Sequence, residues 1–126
     1  GRSCPDRLRS VGPDRWPPVT FCTDGEYKRI LDHLRSVVPP PKGCTVHVSR
    51  VDAAALPDMA GWCNKHRTRF EIQVSRELTQ YETELTLLHE WAHMLAWRPH
   101  YPLSGDHGPD WGVWYSLCWR QYYKTT

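Results

Sequence analysis

Three side chains able to do chemistry, His89, Glu90 and His93, interrupt an otherwise apolar run, LTLLHEWAHMLAW, from Leu85 to Trp97. They are the only titratable groups in that run. An uncompensated carboxylate would be costly to bury there, and a divalent cation would supply the missing charge. Four residues apart, His89 and His93 project from one face of a helix, one turn above the other. Two imidazoles so placed both reach one ion at about 2 Å. Glu90 lies about 100° further round the helix, so it is badly placed as a third ligand. It can still reach a water at the ion. H-E-x-x-H on a helix is the arrangement of a zinc hydrolase in which Glu is the general base. The bland alternative is a pair of core histidines satisfied by hydrogen bonds, and it leaves Glu90 without a purpose.

A catalytic zinc takes three protein ligands and keeps its fourth position for water or substrate. No Glu follows Glu90 in the chain, so a glutamate ligand from the C-terminal side is excluded. The position ten residues after His89, where a metzincin places its third histidine, is Pro99. His100, Asp106, His107 and Asp110 remain. His100 follows His93 too closely for an easy return. His107 sits just before Gly108-Pro109, at the start of another helix, and a rigid element holds a ligand better than a loop. His107 is therefore the expected third ligand.

HEWAH followed by DHGPDW resembles the SprT-like metallopeptidase family, which includes the bacterial SprT proteins and the eukaryotic Spartan protease. AGWCNKHRTRFEIQVSREL is also similar to the stretch before that family's helix. The resemblance covers roughly residues 24–120 and is strongest over 60–112. It implies a zincin-like fold, His89, His93 and His107 as zinc ligands, and Glu90 as catalytic glutamate. It further implies zinc-dependent peptide hydrolysis and, for Spartan-like members, action on proteins attached to DNA, with a role in DNA–protein crosslink repair. The C-terminal cysteine ribbon that many SprT proteins carry has no counterpart within these 126 residues.

Around this centre the sequence offers supporting groups. Asp106 and Asp110 flank His107, and a carboxylate often accepts the free N–H of a ligating histidine. Asp110 equally suits the positive end of a helix. His100 and Tyr101 are candidates to stabilise an oxyanion, although ordinary loop residues look the same in sequence.

The elements that must position these groups read as α+β. Residues 1–23, with Pro5, Pro13, Pro17 and Pro18, form an irregular arm, and 24–126 the metallopeptidase domain. After Asp24 as N-cap, Tyr27, Ile30, Leu31, Leu34, Val37 and Val38 make a helical stripe that the prolines at 39–41 stop. Residues 44–51 alternate as a strand. AGWCN and RTRFEIQVS, joined by Lys65-His66, read as a hairpin, so the sheet is small and antiparallel or mixed. The second arm offers an edge on which an extended peptide could pair. The active-site helix spans about Thr79 to Trp97. A C-terminal helix follows, with Trp111, Trp114, Tyr115 and Trp119 expected to pack beneath it against Trp91 and Leu95.

Composition bounds the rest. With 126 residues, 40% hydrophobic and 24% charged, the chain has the size and make-up of one globular domain. A net charge of +2 makes no case for nucleic acid. Lys42 to Arg76 carries a local +3, and Lys65, Arg67 and Arg69 near Trp62 are the candidate nucleic-acid contacts. A solvated turn explains them as well. Five widely spaced cysteines without a C-x-x-C pair suggest free thiols in a reducing, cytoplasmic compartment. No apolar run is long enough to span a membrane, and no export signal is evident. The expected partner is a polypeptide substrate, the expected state a monomer and the expected cofactor one Zn2+. Two other functions fit the motif: a zinc hydrolase of cell-wall peptides and a non-catalytic binding module stabilised by zinc.

Overall fold

Each long helix begins where the chain supplies its own cap. Helix α1 (Asp24–Val37) starts from Thr23, whose side chain accepts from the Glu26 N–H while the Glu26 carboxylate accepts from the Thr23 N–H. The cap is therefore Thr23, one residue before Asp24, because only Thr23 has a Glu three positions on. Helix α2 (Gln80–Leu95) repeats the device with Thr79 and Glu82, at 2.9 and 3.2 Å. Helix α3 (Pro109–Lys124) begins on a proline, whose missing N–H costs nothing in a first turn.

The computed structural model describes residues 19–97 and 107–124. Most of the arm expected over 1–23 lies outside them, as do His100, Tyr101 and Asp106. Between α1 and α2 run strands β1 (Thr45–Val51), β2 (Gly61–His66) and β3 (Arg69–Ser75), with a single 3-10 turn at Ala53–Ala55. The three helices and a mixed sheet make an α+β fold.

The sheet order is β1-β3-β2. Strand β1 runs parallel to β3, Val48 opposite Ile72, and β2 runs antiparallel to β3, Gly61 opposite Val74. Two expectations change here. The hairpin turn falls on Arg67-Thr68, not on Lys65-His66, which belong to β2 and pair with β3. Arg67 takes the tight bend at φ 57. Strand β3 is also central: its alternating Phe70, Ile72 and Val74 are buried, and both of its edges are already paired. A peptide cannot add there. The outer edges belong to β1 and β2.

Helix α2 packs against β2, β3, α1 and α3. Trp91, about 200° round the helix from His89, is fully buried and donates its Nε1–H to the Val38 carbonyl at 2.8 Å. That bond locks α2 to the end of α1. Helix α3 is fastened to α2 along a seam with Cys118 buried in its middle. Towards one end of the seam, the Trp111 Nε1–H donates to the His89 carbonyl at 3.3 Å. Towards the other, the Tyr122 hydroxyl donates to Glu84 at 2.6 Å, and His33 of α1 reaches the Tyr122 carbonyl at 2.8 Å.

Replacing Trp91 by Phe should remove the bond to Val38 while keeping most of the packing. The expected loss is about 1–3 kcal/mol, the cost of a buried acceptor left unmatched, read from urea denaturation.

Candidate metal centre

His89 and His93 come from α2 and His107 from the turn leading into α3. The His89 Nε2 lies 3.2 Å from the His93 Nε2 and 3.1 Å from the His107 Nε2. Each pair of rings is 4.9 Å apart between centroids. One nitrogen from each ring falls within 4.8 Å of the others. Ligands on a tetrahedral ion at 2.0–2.1 Å stand about 3.3–3.4 Å from one another. The His89 nitrogen stands at that spacing, to within a few tenths of an ångström, from the nitrogens of His93 and His107, and the three imidazoles fit one metal ion.

Their environments differ. His107 is exposed and His89 partly so, while His93 is 5% exposed. Burial, and then the neighbouring His89 and His107, pull the His93 pKa from 6.5 down to about 3. It is therefore neutral at physiological pH, the form in which an imidazole can donate a lone pair.

Glu90 is 1% exposed and occupies the next face of α2, towards β2. Cys63 lies close by on β2 and is fully buried. Burial first, and then the Glu90 charge, push its thiol well above the usual range, so it stays protonated and is no rival nucleophile. Cys22, Cys44, Cys63 and Cys118 are all free thiols. Cys4 lies outside the described residues.

The aromatic helix departs from expectation. Cys118 and Tyr122 are its buried residues, whereas Trp119 is 43% exposed. Trp111 instead borders the histidines, 5.0 Å from His89, 5.6 Å from His93 and 4.7 Å from His107 between ring centroids. Tyr115 stacks behind it at 5.0 Å, 9° from parallel. Sequence reasoning assigned this stripe to the core and missed the wall it makes. The available signal was spacing: Trp111 and Tyr115 follow His107 at four-residue steps, and so line one side of α3.

Of the supporting groups, Asp110 is exposed in the first turn of α3, with no hydrogen bond or ion pair among the described residues. Its place favours the helix-terminus role. The candidate nucleic-acid residues do not form one surface. Trp62 pairs with Gln73 and Lys65 with Phe70, an odd number of residues apart on one strand, so they stand on opposite faces of the sheet. Lys65 covers the Phe70 ring at 5.4 Å, Arg69 lies 3.6 Å from Glu71, and Arg67 is exposed at the turn.

A model of the SprT-like family matches residues 31–126, about three quarters of the chain. The chain belongs to the SprT-like family. Membership is consistent with a metallopeptidase and with a metal held by the histidine cluster. Neither a curated protein nor a solved structure gives a match. Among the described residues, no helix of this SprT-like chain is long and apolar enough to cross a membrane.

Two outcomes follow from the cluster. His107→Ala should weaken metal binding by more than the roughly ten- to hundredfold that loss of a supporting residue costs, measured by competition with a chelator. The metal-free protein should also lose stability as pH falls from 6.5 toward about 3. Over that window the unfolded imidazole takes a proton that buried His93 refuses, so the unfolded state binds more protons and gains. Melting curves across that range should flatten in His93→Gln.

Proposed function

We propose that this SprT-like chain is a zinc-dependent endopeptidase that cleaves polypeptides with water, using Glu90 as general base. One observation carries the reading. Three imidazole nitrogens converge from α2 and from the turn before α3, and a buried carboxylate lies on the adjoining face of α2. A structural zinc site is closed by four ligands and has no need of a base. Here the donor set numbers three among the described residues, which suits an open position.

Zinc, when bound by such ligands, polarises a carbonyl and makes water acidic enough to lose its proton near neutral pH. Glu90 takes that proton as the water oxygen attacks the peptide carbon. Glu90 then returns it to the departing amine as the carbon–nitrogen bond breaks, acting as base and then as acid. His89, His93 and His107 hold the ion. Trp111 holds the His89 carbonyl and keeps water from one side of the cluster. The substrate is an extended chain, paired through its backbone with the outer edge of β2. Strand β2 lies against the Glu90 face of α2 at Gly61, and such pairing tolerates many side chains. Exposed Arg67 and Arg69 lie at the far end of the same hairpin, where an anionic strand would bring DNA-associated proteins towards the site.

The test is Glu90→Gln in a casein or peptide assay, with and without single-stranded DNA. Turnover should fall by roughly 10²–10⁴, the worth of a general base, while zinc content stays the same. Unchanged turnover would remove Glu90 from the mechanism. Cleavage that rises with DNA supports DNA-associated substrates, and cleavage indifferent to it supports unfolded polypeptides at large.

A further inference from the structure

Strand β2 approaches helix α2 closely at Gly61, which is buried. A Cβ at that position would lie 2.7 Å from Thr86 Cγ2, 3.0 Å from Glu90 Oε2 and 3.1 Å from Glu90 Cγ. Carbon atoms at rest sit about 3.5–4.0 Å apart. Gly61 is not in the left-handed region, since Gly43 is the glycine with positive φ. Its backbone could therefore be built by other residues. What glycine provides is the missing side chain, and the atoms filling that space belong to Glu90 and to Thr86 one turn before it.

We propose that Gly61 is a positioning residue: its bare backbone leaves the space that fixes the Glu90 carboxylate between β2 and α2. The inference rests on reading Glu90 as the base. An added methyl must displace something, and the neighbours differ in how they yield. Gly61 is held in register opposite Val74 of the central strand, so β2 cannot simply retreat. Thr86 is β-branched and has few rotamers in a helix. The Glu90 side chain is long, with several staggered torsions open to it. The 2.7 Å contact obliges the Thr86 methyl to yield as well, but only movement of Glu90 clears the contacts at 3.0 and 3.1 Å, so the reaction loses its aligned base rather than its metal.

The experiment compares Gly61→Ala, Glu90→Asp and the pair on a fluorogenic peptide, with zinc content measured for each. For Gly61→Ala, kcat should fall on the order of a hundredfold, the cost of misplacing a catalytic group by about 1 Å, with KM and zinc content nearly unchanged. Aspartate is one methylene shorter and already draws the carboxylate back from the place of Glu90 Oε2, so the alignment that Gly61 protects is lost in it. In Glu90→Asp, adding Gly61→Ala should therefore cost no more than about twofold, the scatter of independent sites. Adding Thr86→Ala to Gly61→Ala should recover the melting temperature but not kcat, and it supplies a folded protein if the single variant is unstable. A crystal structure of the metal-free double variant should show the Glu90 carboxylate moved away from β2, a readout independent of turnover. Full recovery of kcat by Thr86→Ala, a loss from Gly61→Ala that is equal with and without Glu90→Asp, or an unmoved carboxylate would overturn the proposal. Should Glu90→Gln keep its activity, the mechanism fails instead, and the crystal structure still reports whether Gly61 sets the carboxylate.

Discussion

The seam between α2 and α3 is the contact on which the histidine cluster depends. Two of its imidazoles are one helical turn apart and would face the same way in any straight helix. The third arrives from a segment that lies eighteen positions after His89, and nothing local brings it back. What returns it is packing: Cys118 buried in the seam, Tyr122 bonded to Glu84, and Trp111 bonded to the His89 carbonyl. The first two contacts are ordinary core. The third also lies against the histidine rings, so the surface that assembles the cluster is part of its wall.

The opposite side of α2 answers a different requirement. Trp91, Leu87 and Leu88 are buried and fix the rotation of the helix about its axis. Once that rotation is set, the faces bearing His89, Glu90 and His93 are assigned as well, since neighbouring positions differ by about 100°. A helix held loosely would let the imidazoles and the carboxylate exchange places with solvent. Burial of the apolar face therefore decides which polar group points where.

Much of this was legible because the signals are local. Helix periodicity, caps and proline stops located α1, α2 and α3 to within a residue or two. The alternation of Phe70, Ile72 and Val74 showed β3. The elimination that points to His107 is short because few histidines and carboxylates follow His93, and the structure brings that ring to the other two. Sheet order was not legible. A strand buried on one face has the same alternation at an edge as at the centre, so β3 gave no sign that β1 would pair with it in parallel. The Trp111 stripe was misjudged for a related reason: an amphipathic helix shows which residues share a face, but not what that face meets. Gly61 left no signal at all, because the space it keeps open belongs to side chains twenty-five and more positions later.

The two-residue bend at Arg67-Thr68 acts as a ruler. Because it fixes His66 opposite Arg69, counting back along β2 brings Gly61, and not Trp62, against the helix. Side chains alternate strictly between faces, so a shift of one residue at the bend would turn every member of β2 over. The bulkiest side chain of the hairpin would then be thrust at the carboxylate in place of the smallest. The length of a surface loop well away from the histidines thus governs how much room is left at the heart of the molecule.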